Sequence, residues 1–181
     1  MIKIADGFRL PESIDLSVLE TLPVMSHPYG GLQPSNDVFR WMTYYDADGE
    51  IAFARNLGTF MPEVAAYTVE FLSSRVEGKF DPHRVNFMRT LGNVSPHIDE
   101  GGRNCCINIG VRGASNAVTQ FAISDNFEAE HGECTVQDGC AYLLDVSRIH
   151  AVKSVKHEHR LLISYGFGVS FDDVLKRVRR L

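Results

Sequence analysis

The chain has 181 residues, 44% of them hydrophobic, and a formal net charge of −5, so it carries enough apolar content to bury a sizeable core and is no disordered polypeptide. The negative balance makes nucleic acid an unlikely partner, and no apolar run approaches the length of a membrane span. The start, Met1-Ile2-Lys3-Ile4-Ala5-Asp6, lacks the basic, apolar, small-residue order of a secretory signal, so a cytoplasmic location is expected, with Cys105, Cys106, Cys134 and Cys140 as reduced packing thiols.

The spacing predicts a short helix over 13–22 that ends at Pro23. Residues 26–36, rich in Pro and Gly, read as a loop, either a plain connector or a lid over a site. Residues 38–45 and 50–56 alternate as strands about Asp46-Ala47-Asp48-Gly49, which predicts a hairpin, and Trp41, Tyr44 and Tyr45 on it read as packing residues or a recognition surface. Thr59 is placed to cap a helix over 61–76 with Val64, Thr68, Phe71 and Leu72 on its inner stripe. From there the hydrophobic period falls from 3.6 to 2. Residues 84–91, 104–111, 117–123, 133–137, 140–145, 149–155 and 160–167 read as strands, with 96–99 extended between the first two. Short strands in this number after a helical lead-in predict a mainly β chain with flanking helices, a double-stranded β-helix or jelly roll of cupin type. On the last strand, Leu161, Ile163 and Tyr165 are expected to face the helix, and Arg160, Leu162 and Ser164 the barrel. A helix over 170–181, capped by Ser170 with Asp172 and Asp173 in its first turn, closes the chain. The organisation is that of one domain over 1–181, with its core at about 83–168, a lead-in over 1–82 and the closing helix.

Pro96-His97-Ile98-Asp99 carries the most chemistry. In an extended segment alternate side chains share a face, so His97 and Asp99 point the same way, and a metal ion can sit between them. His150, on a later strand, is the natural third donor. Two imidazoles and one carboxylate hold a ferrous ion on one face and leave the opposite positions open, and no cysteine is placed to compete. The bland alternative is a surface histidine beside a turn, since Asp99-Glu100-Gly101-Gly102 is good turn chemistry. His131, His157 and His159 read as solvated groups, with His131 the best spare ligand. Arg89, Arg103 and Asn108 are either cosubstrate contacts or ordinary surface and packing residues. No glycine-rich nucleotide fingerprint and no partnered nucleophile is present.

Taken together, Asn86-Phe87-Met88-Arg89-Thr90-Leu91-Gly92, Pro96-His97-Ile98-Asp99, Arg103-Asn104-Cys105-Cys106-Ile107-Asn108-Ile109, Asp138-Gly139-Cys140-Ala141-Tyr142-Leu143-Leu144-Asp145, His150 and Arg160-Leu161-Leu162-Ile163-Ser164-Tyr165 resemble the Fe(II)- and 2-oxoglutarate-dependent oxygenases. The likeness covers roughly 83–168 and is nearest the aspartyl/asparaginyl and prolyl hydroxylase types. It implies Fe(II) on His97, Asp99 and His150, and the far carboxylate of 2-oxoglutarate on Arg160. Further contacts would come from Ser164, Asn108 and Arg103. O2 would be the oxidant, succinate and CO2 the co-products, and an amino acid, small molecule or protein side chain the substrate. The usual hydroxyl two residues after the arginine is here Leu162, so Ser164 is the next same-face candidate. A flat hairpin over 149–167 would set His150 opposite about Tyr165 and leave Arg160 on the order of 16 Å along the strand, so the two share a site only in a curved double sheet. A cupin-like metalloenzyme without 2-oxoglutarate and a non-catalytic binding module are the alternatives on the same fold. The oligomeric state is left open.

Overall fold

The computed structural model describes residues 1–21, 24–26, 41–46, 49–99 and 102–179, and for 20, 21, 24–26 and 41–46 the backbone alone. Twelve strands form among them: β1 (Ile2–Ala5), β2 (Val24–Ser26), β3 (Trp41–Asp46), β4 (Gly49–Ala54), β5 (Val85–Gly92), β6 (Val94–His97), β7 (Cys105–Arg112), β8 (Ala117–Ala122), β9 (His131–Cys134), β10 (Ala141–Asp145), β11 (His150–Ser154) and β12 (Arg160–Phe167). Helices α1 (Leu57–Phe60), α2 (Pro62–Arg75) and α3 (Phe171–Leu175) accompany them.

The chain from β5 onward shuttles between two sheets. The larger has the order β1-β10-β7-β12-β5-β4-β3-β2, the smaller β6-β11-β8-β9. Successive strands therefore wind between facing sheets, which is the double-stranded β-helix expected from the period-2 pattern. Because side chains alternate along a strand, the central large-sheet strands β5, β7, β10 and β12 feed two separate cores. Phe87, Ile107, Ile109, Leu143, Leu161, Ile163 and Tyr165 pack with α2. Met88, Cys106, Tyr142, Leu144 and Leu162 point the other way and meet Phe121 of the smaller sheet. Each fully buried Leu or Ile of this kind contributes about 1.5–3 kcal/mol.

α2 starts at Pro62, whose fixed φ and missing N–H suit a first helical position, and it buries Val64, Ala65, Thr68 and Leu72 on one stripe. Thr59 does not cap it: no side chain caps Met61, and Thr59 Oγ1 lies 3.2 Å from His83 Nδ1 instead. Three other expectations are corrected. The closing helix stops at Leu175, because the chain then bends so that Val178 can bridge Val76, with Glu77 N–H on Arg177 O and Arg179 N–H on Arg75 O. The strand expected over 133–137 begins two residues earlier, with His131 inside it, since its register is set by pairing with β8 from Thr119↔Cys134 to Ala122↔His131. The helix over 13–22 is a 3-10 turn, Leu16–Thr21. β3 and β4 pair in register from Trp41↔Ala54 to Asp46↔Gly49.

Most of the 26–36 loop, the 47–48 turn, part of the 99–102 turn and the end of the closing helix at 180–181 lie outside the described residues, as do the side chains of Trp41, Tyr44 and Tyr45. No described helix is long and apolar enough to cross a membrane.

Candidate metal centre

β6 and β11 pair antiparallel with His97 opposite His150. Asp99 lies just beyond β6, its backbone N–H donating to Val146 O, 3.2 Å away at the end of β10. These contacts bring His150, remote in sequence, up to His97 and Asp99. His97 Nε2 and His150 Nε2 lie 3.5 and 3.6 Å from Asp99 Oδ1, and one donor atom from each residue falls within a 4.8 Å group. The imidazole centroids are 4.3 Å apart, and Phe121 stacks on the His150 ring at 5.8 Å.

The far nitrogens of the rings settle which atoms face the centre. His97 Nδ1 is 2.8 Å from Ser95 O, and His150 Nδ1 is 2.9 Å from Arg148 O. A carbonyl only accepts, so each Nδ1 donates, and each ring turns its Nε2 toward the Asp99 carboxylate, free to bind an ion in the neutral form. Backbone carbonyls that fix the tautomer in this way are the usual outer support of metal-binding histidines. Three donor atoms facing one another repel unless a proton or a metal ion lies between them. Donors at about 2.1 Å from one ion stand roughly 3 Å apart at right angles, close to the spacing here. The set therefore fits a divalent ion, and two imidazoles with one carboxylate and no thiolate suit ferrous iron.

Electrostatics keep the donors ready. Burial raises the Asp99 pKa, but the His97 imidazole and the Arg103 guanidinium outweigh it and hold the carboxyl below its ordinary range. Burial, then His97, pushes His150 below the usual histidine value, so its ring stays neutral at pH 7. Arg103 Nη1 lies 3.1 Å from Asp99 Oδ2.

The inner face of β12 carries Arg160, Leu162 and Ser164, as expected from alternation. β11 and β12 lie in different sheets, so the flat hairpin does not form and His150 faces the larger sheet across the barrel. Arg160 is 2% exposed, donates through Nε to Thr90 Oγ1 at 3.0 Å, and leaves Nη1 buried without a partner. No carboxylate among the described residues neutralises it, and burial pushes its pKa down to about 10.

Ser164 is held within a network of side chains. Its hydroxyl donates to Asn108 Oδ1 at 2.8 Å and receives Arg103 Nη2 at 2.6 Å, so Ser164, Asn108 and Arg103 form one internal relay. The hydroxyl beside the guanidinium is Thr90's, brought in by the Arg160↔Thr90 register of β12 with β5. Sequence spacing gives no signal for it, because strand pairing places it there. Arg89 alternates with Thr90 and sits 3.6 Å from Glu50 on the opposite face, away from the barrel. His131 is 2.7 Å from Gln120 and 3.4 Å from Glu133, while Phe121, the next residue to Gln120, points inward, so His131 lies outside the centre. His159 approaches Glu50 at 3.9 Å, also outside it. The four cysteines are free; burial pushes Cys105 up to about 12 and Cys106 upward as well, which keeps both as thiols.

No protein-family model and no curated protein sequence matches the chain. Solved structures similar to it include an oxidoreductase of the 2OG-Fe(II) oxygenase family from Burkholderia pseudomallei, at 13% identity over 70% of this chain and 71% of that one, with a TM-score of 0.46. The Escherichia coli ribosomal oxygenase YcfD is 16% identical over 65% of this chain and 31% of its own length, with a TM-score of 0.44, so this chain spans about a third of it. The Drosophila melanogaster CENP-C cupin domain is 7% identical over 75% and 84% of the two chains, with a TM-score of 0.39.

Proposed function

We propose that this chain is an Fe(II)- and 2-oxoglutarate-dependent oxygenase, built as one domain, that hydroxylates an amino acid or a protein or peptide side chain. The observation that carries the reading is Arg160, a buried guanidinium with no counter-charge among the described residues, on the inner face of the barrel that also holds the His97, Asp99 and His150 donors. An unpaired buried cation costs several kcal/mol and persists where an anion completes it. A cupin-type metalloenzyme or a binding module without a dicarboxylate ligand has no use for such a group.

Within this reading His97 Nε2, His150 Nε2 and Asp99 Oδ1 hold the ion. Bound ferrous iron and 2-oxoglutarate supply the activation of O2, coupled to decarboxylation, with succinate and CO2 as co-products. Arg160 presents a planar fork to the far carboxylate, a geometry lysine cannot copy. Thr90 accepts from Arg160 Nε, so its own hydroxyl proton is free for the same carboxylate. Met88, Leu144, Leu162 and Phe121 line the space between the sheets and keep it dry, which strengthens each of these polar contacts.

Anaerobic titration of Fe(II)-loaded protein with 2-oxoglutarate tests the proposal. A weak visible charge-transfer band is expected to grow to saturation; iron that binds without any such band would remove the keto acid from the reaction. Thr90→Val keeps the side-chain shape and is expected to weaken 2-oxoglutarate binding by about 1.5–3 kcal/mol, the worth of a hydrogen bond to a charged group, with iron affinity unchanged. An unaltered midpoint in that titration would place the carboxylate elsewhere.

A further inference from the structure

Arg103 lies across the floor of the centre in a manner that no surface arginine requires. Its Nη1 holds the outer oxygen of Asp99, Oδ2, at 3.1 Å, while Oδ1 is the oxygen that faces both histidines. Its Nη2 reaches Ser164 Oγ at 2.6 Å, and Ser164 is fixed in turn by Asn108 Oδ1 at 2.8 Å. One guanidinium therefore ties the loop that carries Asp99 to the inner face of β12. The strand leaves room for it: a Cβ built on Gly166 would stand 3.2 Å from Arg103 Cγ, Cδ and Nε. The Gly166 backbone does not have the positive φ that demands glycine, so the missing side chain there is a matter of space for the arginine stem.

We infer that Arg103 is a positioning residue that makes Asp99 a one-oxygen ligand. A free carboxylate beside a divalent ion can turn and bind through both oxygens. With Oδ2 held in a charge-assisted bond, Asp99 offers Oδ1 alone, and the face opposite the three ligands keeps its full set of open positions. The fork geometry matters, because its two arms fix the direction of the carboxylate against a strand that cannot move. Ser164 and Asn108 then act through Arg103 as its anchor. This inference rests on the ferrous-centre reading above and assigns the relay a task within it.

The test is anaerobic Co(II) titration of the full chain, read by the visible d–d spectrum, for the wild type, Arg103→Gln, Arg103→Lys and Gly166→Ala. Arg103→Gln is expected to lose about 10- to 100-fold in affinity, the usual cost of removing an outer partner of a ligand, with altered band intensity as the coordination changes. Arg103→Lys restores the charge but a single contact, and should recover part of the affinity while keeping the altered bands. Gly166→Ala leaves every polar group in place and only displaces the stem; a shift of the bands toward those of Arg103→Gln is expected, and this variant keeps the test decisive if Arg103→Gln fails to fold. Bands and affinity unchanged within about twofold in Arg103→Gln, or in Gly166→Ala where that variant does not fold, would overturn the positioning role and leave the metal centre standing. A wild-type protein that takes up no Co(II) or Fe(II) would instead overturn the centre itself.

Discussion

Replacement of His150 by alanine is expected to abolish ferrous-ion binding, and with it the 2-oxoglutarate charge-transfer band and succinate release. His150 is the most enclosed of the three donors: its side chain is 8% exposed, against 17% for Asp99 and 29% for His97. Its ring is clamped between His97 and Phe121, and its Nδ1 is fixed on Arg148 O. Truncation leaves one imidazole and one carboxylate, a pair that common surface sites match. Loss of a mere outer partner costs about 10- to 100-fold in metal affinity, so loss of a ligand must exceed that range. The sharp comparison is His131→Ala. That ring packs against Gln120 and Glu133 on the far side of the smaller sheet, so the variant should bind iron as the wild type does. Iron uptake measured side by side settles both: retention in His150→Ala, or loss in His131→Ala, would move the third ligand. The pH response has a fixed sign. Burial and His97 push the His150 pKa below its ordinary value, so its neutral ligand form persists into mildly acidic solution, and its share of the iron affinity is lost as the pH drops through that lowered value.

The extent to which this site was legible in sequence follows from the range of each interaction. His97 and Asp99 are two residues apart on an extended segment, so their shared face is a local property. The alternation Arg160, Leu162, Ser164 against Leu161, Ile163, Tyr165 is also local, and the two cores divide accordingly. What sequence could not reach is cross-strand register. Thr90 meets Arg160 only because β5 pairs with β12 at that residue, and Ser164 is occupied by Asn108 only because β7 flanks β12 on the other side. The same limit explains the ends of elements. β9 begins at His131 because β8 dictates its pairing, and the closing helix breaks where the Val76 to Val178 bridge takes over its backbone groups. Edge strands such as β1, which pairs with β10, are set by the sheet they complete more than by their own pattern.

Arg160→Met is expected to raise the thermal stability of the ligand-free protein and to remove its affinity for 2-oxoglutarate. Both halves come from one cause. The Arg160 side chain is buried, hydrogen-bonds to Thr90, and faces no carboxylate among the described residues. Burial pushes its pKa down to about 10, so the charged form is disfavoured in the folded protein relative to an unfolded chain in which water surrounds it. A depressed base destabilises the fold at every pH below that lowered value, and the cost fades as the pH rises through it; near neutrality it is present in full. Methionine of similar reach fills the space without charge, and exchanges of this kind are neutral or stabilising by about 1–4 kcal/mol. For a chain of this size each kcal/mol moves the melting temperature by roughly 2–4 °C. Saturating 2-oxoglutarate should reverse the order, because ligand at about 1,000 times its Kd stabilises the wild type by about 4.1 kcal/mol, past the top of that range, and leaves the variant untouched. Removing one partner of a desolvated charge pair costs about 2–5 kcal/mol in binding, enough to take the variant out of the measurable range. Melting curves of both proteins, with and without the keto acid, read the four states directly. A methionine variant that melts below the wild type without ligand would make Arg160 a structural group of the barrel, and one that still gains stability from 2-oxoglutarate would place the carboxylate on another cation.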